Sequence, residues 1–276
     1  MHTETFTTRD GVNLHTVRLL PDSTPKATVL VVHGYGEHSG RYAHVMTALA
    51  NAGYAAYALD HVGHGRSEGL RAFIDNFDIP VTHLKEFKDR VVAQQPDGKL
   101  FMLGHSMGAL ISLAFTLRYQ PELDGLLISG APVNADANVS PVMVQLGYIL
   151  NRIVPRLPLL APGGTNILST DPAVGEAFAA DPLCYNGSMR VGLGVALNET
   201  AKSVRARLPE LTLPILIMHG EADKYVNPSG SKLAYEQVKS KDRTLKLYPG
   251  MYHEIMNERD KAVVLGDIVT WLDQHS

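Results

Sequence analysis

Short runs of apolar, often β-branched residues recur along the chain, and they alternate with longer stretches in which apolar residues return every three or four positions. The runs predict buried strands and the stretches predict amphipathic helices. The expected strands cover residues 27–32, 54–59, 100–103, 123–129, 215–218 and 244–248. The expected helices cover residues 42–51, 77–95, 109–117, 230–239 and 260–275. Because strands and helices alternate, we expect an α/β fold with a mostly parallel central sheet and helices on both faces.

The alternation of buried strands and amphipathic helices is interrupted at two places. Residues 3–8 and 12–19 alternate in character around Asp10-Gly11, which predicts an antiparallel hairpin closed by a tight turn with positive φ. Residues 132–209 contain several prolines and no strand-like run followed by a helix. We therefore expect a core formed by residues 1–131 and 210–276, with residues 132–209 inserted as a helical cap.

One segment of this cap is apolar around most of its circumference. Residues 142–154 carry Arg152 as their only charge. As a helix, the segment either packs inside the cap, as most apolar helical faces do, or exposes one face toward a partner or a membrane. The second interpretation follows from the small size of the cap, which leaves it little interior of its own.

Composition narrows the function classes. Of the 276 residues, 45% are hydrophobic and 19% are charged, and the formal net charge is −3, which is typical of a globular domain and not of a nucleic-acid-binding or disordered chain. The single cysteine, Cys184, excludes an intramolecular disulfide and a cysteine-based zinc site. Residues 1–9 are polar, and no apolar run reaches the roughly 18 residues of a membrane-spanning helix. We expect a cytoplasmic protein.

The strongest chemical signal is Gly104-His105-Ser106-Met107-Gly108, a G-x-S-x-G motif between an apolar strand and an amphipathic helix. This arrangement predicts a nucleophile elbow, in which the serine lies on a tight strand-to-helix turn. Glycines at both ends of the motif avoid collisions with each other and with the neighbouring strands. The backbone N–H of Met107, at the helix N-terminus, faces an oxyanion that develops beside Ser106.

A serine nucleophile needs a base and an acid. His253 follows the last predicted strand and Asp223 follows the strand before it, so both are expected beside Ser106 at the carboxyl edge of the sheet. The order serine, acid, histidine is that of α/β-hydrolases. Glu221 competes with Asp223 for the role of the acid. The loop at His33-Gly34-Tyr35-Gly36 supplies a second oxyanion donor, the backbone N–H of Tyr35.

Three further histidines, His33, His61 and His64, lie in glycine-rich loops. No metal-ligand spacing pairs them with carboxylates, so we expect them to fix turns by hydrogen bonds. We expect neither a metal nor a cofactor.

Several segments together resemble the monoacylglycerol lipases: residues 33–42 (HGYGEHSGRY), 60–69 (DHVGHGRSEG), 104–109 (GHSMGA), 181–183 (DPL) and 219–223 (HGEAD). The resemblance implies a serine hydrolase of the α/β-hydrolase fold with an apolar acyl tunnel under the cap. It also implies action on monoacylglycerols at a membrane or micelle surface. The positions that match Glu37, Arg41 and His105 lie near the glycerol end of the site in that family. Phe178 stands where the resemblance places a tyrosine of the cap.

Other functions stay open. Within enzymes, a lysophospholipase or a general carboxylesterase would use the same residues. A hydrolase-fold binding protein that has lost catalysis is an alternative of another class. Labelling of Ser106 by a fluorophosphonate distinguishes this binding protein from the enzymes. The sequence does not indicate acyl-chain preference or oligomeric state.

Overall fold

The computed structural model describes residues 1–94, 98–134, 140–160 and 164–276. Its strands are β1 (His2–Thr7), β2 (Asn13–Leu19), β3 (Ala27–Val32), β4 (Ala55–Leu59), β5 (Lys99–His105), β6 (Gly125–Ser129), β7 (Pro158–Leu160), β8 (Met189–Arg190), β9 (Ile215–Gly220) and β10 (Arg243–Tyr248). Its α-helices are α1 (Ala43–Asn51), α2 (Asp78–Gln94), α3 (Met107–Tyr119), α4 (Pro141–Ile153), α5 (Pro172–Ala180), α6 (Val191–Arg207), α7 (Ser229–Gln237) and α8 (Lys261–His275).

Eight strands form one sheet in the order β1-β2-β4-β3-β5-β6-β9-β10. The pairs β1/β2 and β2/β4 are antiparallel, and every other neighbouring pair is parallel. The carboxyl ends of β3, β5, β6, β9 and β10 therefore lie along one edge. Loops that leave this edge can bring distant parts of the sequence together.

Two apolar layers cover the sheet. Along β3, Leu30 and Val32 belong to one buried cluster and Val29 and Val31 to the other, because successive side chains of a strand point to opposite faces. Helices α2, α3, α6 and α7 contribute to the first cluster, and α1 and α8 to the second. A strand buried on both faces needs apolar residues at every position, which explains the continuous apolar runs in the sequence.

The predicted core elements form close to their expected bounds, and the hairpin at the N-terminus is confirmed. Its loop is longer than a two-residue turn, since Thr7 pairs with Asn13, and within it Gly11 has φ 86°. The last residue of the helix predicted over 77–95 lies outside the described residues. A short antiparallel ribbon, β7 with β8, was not predicted. Its strands have three and two residues, which is too short to give a recognisable period-two pattern.

Between β6 and β9 the chain leaves the sheet and forms α4, α5, α6 and the ribbon. Helix α6 packs on α3 and carries α4 on its outer side. None of the residues of α4 is buried: Val142 is 76% exposed and Ile153 is 73% exposed, so the apolar helix does present a face to solvent. Among the helices of the described ranges, none is long and apolar enough to cross a membrane.

Candidate active site

Ser106 lies at the turn between β5 and α3 with φ 54° and ψ −121°, a conformation that L-amino acids rarely adopt. The flanking glycines allow this turn to approach its neighbours. A Cβ atom on Gly108 would lie 2.1 Å from the carbonyl oxygen of Val32, and one on Gly104 would lie 2.7 Å from the carbonyl oxygen of Gly108. The expectation that both glycines prevent collisions is confirmed.

The loops after β9 and β10 bring two side chains to this serine. The Ser106 hydroxyl donates to Nε2 of His253 over 2.9 Å, and Nδ1–H of His253 donates to Oδ2 of Asp223 over 2.7 Å. All three side chains are buried. Glu221, the alternative acid, is exposed, and its backbone N–H bonds to the carbonyl of Tyr248. The structure therefore places Asp223 and not Glu221 against His253.

Asp223 is held at both carboxylate oxygens. Oδ1 accepts the backbone N–H groups of Tyr225 (2.7 Å) and Val226 (2.9 Å), and Oδ2 faces His253 and His219. Burial on its own would raise the pKa of Asp223, but the hydrogen bonds from His219 and His253 outweigh it and lower this pKa below its ordinary value. The carboxylate is therefore ionised throughout the neutral pH range.

The two predicted oxyanion donors come from different elements of the fold. Met107 is the first residue of α3, and the first N–H groups of a helix have no acceptor within it. Tyr35 lies in the loop after β3, and its N–H makes no hydrogen bond within the described part of the chain. Tyr35 and Met107 line the same cavity as Ser106.

Two of the residues predicted near the alcohol end, Glu37 and Arg41, form a buried charge cluster with Glu254, and we call these three residues the Arg41 cluster. The Arg41 guanidinium donates to Glu37 (2.7 Å) and to both oxygens of Glu254 (2.8 and 2.7 Å). It also lies 4.8 Å from the centre of the Phe178 ring. Burial opposes the charge of Arg41, but the two carboxylates raise the pKa of its guanidinium. Glu37 and Phe178 line a cavity at Ser106, whereas Arg41 is not among the lining residues.

His105 precedes the nucleophile and is fully buried beside His253, with 4.8 Å between ring centres. Burial, together with the neighbouring His253, lowers the pKa of His105 to about 3. Its ring is therefore neutral at physiological pH. It borders the same cavity as Glu37 and Phe178.

Among the cavities that the described residues line, three bear on the function of the site. The polar cavity, of about 350 Å³, opens from Ser106 and His253 toward Glu37, Glu254 and Tyr185. The inner cavity, of about 230 Å³, lies on the Met107 side of Ser106 and ends at Met189 and Leu197. The cap cavity, of about 290 Å³, lies between α4 and α6. Met189 and Leu197 line both the inner and the cap cavity, so these two adjoin.

The histidines of the glycine-rich loops pack under the Tyr35 loop. Nδ1–H of His33 donates to the carbonyl of Gly34 (2.8 Å), and Nε2 of His33 accepts the backbone N–H of His61 (2.9 Å). These bonds join the loops after β3 and β4. The expected hydrogen bonds from the ring are found for His33 and His64, whereas both ring nitrogens of His61 are buried without a hydrogen-bond partner among the described residues. His64 is buried against His33, and its pKa is lowered to about 3, chiefly by burial.

A second group of possible metal ligands, His38, Asp181 and Cys184, lies at the edge of the cap. Nε2–H of His38 donates to Asp181 (2.9 Å), and Nδ1 accepts the N–H of Gly40 (3.1 Å), so both ring nitrogens already have partners. Burial raises the pKa of the Cys184 thiol to about 12, which keeps it protonated. These donors fit a structural hydrogen-bond group better than a cation site.

Sequence reasoning missed three residues of the site. Glu254 completes the Arg41 cluster, His219 contacts Asp223, and Tyr225 stacks on His253 with 5.1 Å between ring centres. For two of them the sequence carries a feature that could have indicated their role. Glu254 directly follows His253 and is the one Asp, Glu, Lys or Arg in the sequence from 249 to 257, and His219 opens the HGEAD segment. No such feature marks Tyr225, because its contact with His253 depends on the path of the loop after β9.

Comparison with known proteins identifies the family of this chain. A family model described as serine aminopeptidase, S33, matches residues 23–260. A monoacylglycerol lipase of Mycolicibacterium smegmatis is 38% identical over 92% of this chain and 91% of its own, and the Homo sapiens monoglyceride lipase is 33% identical over 97% and 89%. The crystal structure of the Paleococcus ferrophilus monoacylglycerol lipase superposes with a TM-score of 0.86 at 28% identity, covering 95% of this chain and 99% of that one. This chain therefore belongs to the monoacylglycerol lipase family of serine hydrolases and has the α/β-hydrolase fold.

Proposed function

We propose that this protein hydrolyses monoacylglycerols to a fatty acid and glycerol through an acyl-enzyme intermediate. The observation that carries the proposal is the hydrogen-bonded series Ser106–His253–Asp223, which lies where the polar cavity and the inner cavity meet. The lipases named among its relatives support the substrate class.

In the first half-reaction, Ser106 Oγ attacks the ester carbonyl while His253 Nε2 accepts the serine proton. Asp223 stabilises the imidazolium that forms. The N–H groups of Tyr35 and Met107 bind the oxyanion of the tetrahedral intermediate. His253 then donates its proton to the glycerol oxygen, the ester C–O bond breaks, and glycerol leaves. In the second half-reaction water adds to the acyl-enzyme by the same steps, which releases the fatty acid and restores Ser106.

The acyl chain occupies the inner and cap cavities in this proposal. The lining of the cap cavity is almost entirely apolar, with side chains such as Val144, Leu150 and Val195. Each methylene moved from water to such a surface contributes roughly 0.8 kcal/mol. The route from Ser106 past Met189 and Leu197 therefore favours a single long chain.

The alcohol occupies the polar cavity, and the charges there favour a neutral head group. The charged side chains that line the described part of this cavity are Glu37 and Glu254. The cation next to them, Arg41, already bonds to both carboxylates. A lysophospholipid would place its phosphate anion beside two carboxylates with no available cation in this lining, which is unfavourable at such distances. This observation supports glycerol over a phosphodiester head group.

We further propose that α4 docks the enzyme on a lipid surface. Val142, Ile149 and Ile153 are exposed and do not line the cap cavity. Met143 and Leu146 are exposed and also line this cavity, so they lie at its rim. Contiguous exposed apolar side chains of this kind are typical of a membrane or partner surface. A chain taken up there would pass through the cap cavity and then the inner cavity to Ser106.

The test is a substrate panel with the purified protein: monoacylglycerols, diacylglycerols, triacylglycerols, lysophosphatidylcholine and a short p-nitrophenyl ester. We expect kcat/KM to be highest for long-chain monoacylglycerol. Faster hydrolysis of lysophosphatidylcholine would favour a lysophospholipase. Hydrolysis of the short ester alone would favour a general carboxylesterase. Absence of both turnover and fluorophosphonate labelling of Ser106 would favour a binding protein.

A further inference from the structure

Two histidine rings converge on a single oxygen atom of Asp223. Oδ2 lies 2.7 Å from Nδ1 of His253 and 3.0 Å from Nε2 of His219. His219 is the fifth residue of β9, and none of its surface is exposed. It does not reach Ser106, and the reaction described above does not use it.

The neighbours of His219 determine which of its ring nitrogens carries a proton. Nε2 faces two acceptors, Oδ2 of Asp223 and the carbonyl oxygen of Val226 at 3.1 Å. A lone pair on Nε2 would repel both of them, so Nε2 carries the hydrogen. Nδ1 lies 2.7 Å from the hydroxyl of Ser231, which is buried on α7 and can donate to it. A neutral His219 ring is therefore held in the Nε2–H form.

We propose that His219 is a positioning residue for catalysis: with Ser231 behind it, it directs Oδ2 of Asp223 at His253 and moderates the basicity of that carboxylate. The proposal rests on the proposed serine-hydrolase function. It extends the hydrogen-bonded series by two residues, to Ser231–His219–Asp223–His253–Ser106.

Two consequences follow from a shared acceptor. First, Oδ2 is located by two donors from different elements, β9 and the loop after β10, and so cannot rotate away from His253 without breaking the bond to His219. Second, each donor withdraws electron density from the same oxygen, so removal of His219 makes that oxygen a stronger acceptor for His253. A stronger acceptor stabilises the imidazolium form of His253.

The experiment compares His219→Leu with His219→Gln. Leucine removes the donor at similar volume, whereas glutamine can present an amide N–H near the position of Nε2. We expect His219→Leu to lower kcat by about 10- to 100-fold with little change in KM, since Oδ2 of Asp223 loses the donor that directs it at His253 and no substrate contact changes. His219→Gln should recover most of this loss.

The second readout is the acid limb of the kcat/KM profile, which we expect to move to higher pH by on the order of half a unit in His219→Leu. Ionisable groups around the His253 ring also contribute to this limb and are unchanged in the variant: Asp223, Tyr225, His105, Glu254 and Arg41. His83→Leu is the matched control. His83 is 2% exposed and bonds to Asp10 far from the site. Loss of the His83 ring should therefore lower the stability of the protein without shifting the acid limb of the kcat/KM profile.

Ser231→Ala is a second variant that tests the proposal if His219→Leu does not fold. It removes only the partner of Nδ1, and we expect a smaller loss of kcat with the same direction of limb shift. An unshifted limb in folded His219→Leu or Ser231→Ala, or no recovery in His219→Gln, would overturn the proposal. The proposed function is tested separately, on the wild type by the substrate panel and on Ser106→Ala, whose retention of activity would overturn it.

Discussion

The guanidinium of Arg41 makes two parallel hydrogen bonds to the carboxylate of Glu254, the residue that follows His253 in the chain. The same guanidinium bonds to Glu37, and Glu37 in turn accepts the N–H of Gly34, the residue before Tyr35. One buried arginine thus joins the loop that carries an oxyanion donor to the loop that carries the base. The relative position of these two groups depends on this ion-pair cluster.

The charges of the Arg41 cluster predict a ranking of stabilities. Arg41→Met leaves Glu37 and Glu254 as two buried carboxylates without a cation, which should cost about 3–5 kcal/mol. Glu254→Gln leaves the neutral pair of Arg41 and Glu37, and we expect a cost of about 1–2 kcal/mol. Urea unfolding measures both. Equal costs, or a more stable Arg41→Met, would show that the cluster does not compensate its charges in this way.

The roles of the reacting residues predict a ranking of the losses of kcat among their variants. Ser106→Ala and His253→Ala should each lower kcat by about 10⁴-fold or more, because the three side chains act as a unit. Asp223→Asn should be similarly severe, since an amide cannot stabilise the imidazolium. Glu221→Gln should have little effect on kcat, because Glu221 is exposed. A larger loss of kcat in Glu221→Gln than in Asp223→Asn would show that Glu221, and not Asp223, is the acid.

Buried neutral histidines predict that stability falls on acidification. The pKa values of His64 and His105 are lowered from 6.5 to about 3, chiefly by burial. In an unfolded chain these rings would bind protons below about pH 6.5, whereas in the folded protein they bind them only near pH 3. The unfolded state therefore binds more protons in this window, and the free energy of unfolding decreases as pH falls.

At about pH 5 each such histidine should reduce the free energy of unfolding by about 2 kcal/mol relative to neutral pH. Urea unfolding at both pH values, for the wild type and His64→Leu, measures the effect. The variant should be less stable at neutral pH but should lose about 2 kcal/mol less on acidification. His2→Leu, which changes an exposed histidine, provides the control. The same loss in all three proteins would rule out His64 as a source.

The exposed face of α4 predicts how the enzyme meets its substrate. Replacing Val142 and Ile153 together by glutamate should lower liposome binding by at least about tenfold, since apolar contact is lost and negative charge is added. Hydrolysis of long-chain monoacylglycerol in liposomes should fall in parallel, and hydrolysis of a short dissolved p-nitrophenyl ester should not change. Val263→Glu is a matched control, because Val263 is 58% exposed but lies on α8. Equal effects of both sets of changes would contradict a specific docking face.

Periodicity and chain order predicted the sheet, its covering helices and the approach of Asp223 and His253 to Ser106, because the carboxyl ends of parallel strands share one edge. The boundaries of the cap, at residues 132 and 209, stay a prediction. Partners of individual polar side chains were not predictable. Arg41 was expected at the alcohol end, but it lies behind the cavity wall because two buried carboxylates need a cation between them. Pairings of this kind depend on how loops from distant parts of the chain fold together.

The backbone conformation of Ser106 lowers the stability of the protein at a position whose side chain is needed for activity. Its φ of 54° and ψ of −121° cost of order 1–3 kcal/mol for a residue with a side chain, whereas glycine adopts them freely. Ser106→Gly should therefore raise the free energy of unfolding by about 1 kcal/mol while Ser106→Ala does not. A library of variants selected for heat resistance alone would accumulate glycine at this position and lose the enzyme. Directed evolution of a more robust form of this protein therefore has to select for turnover at every round.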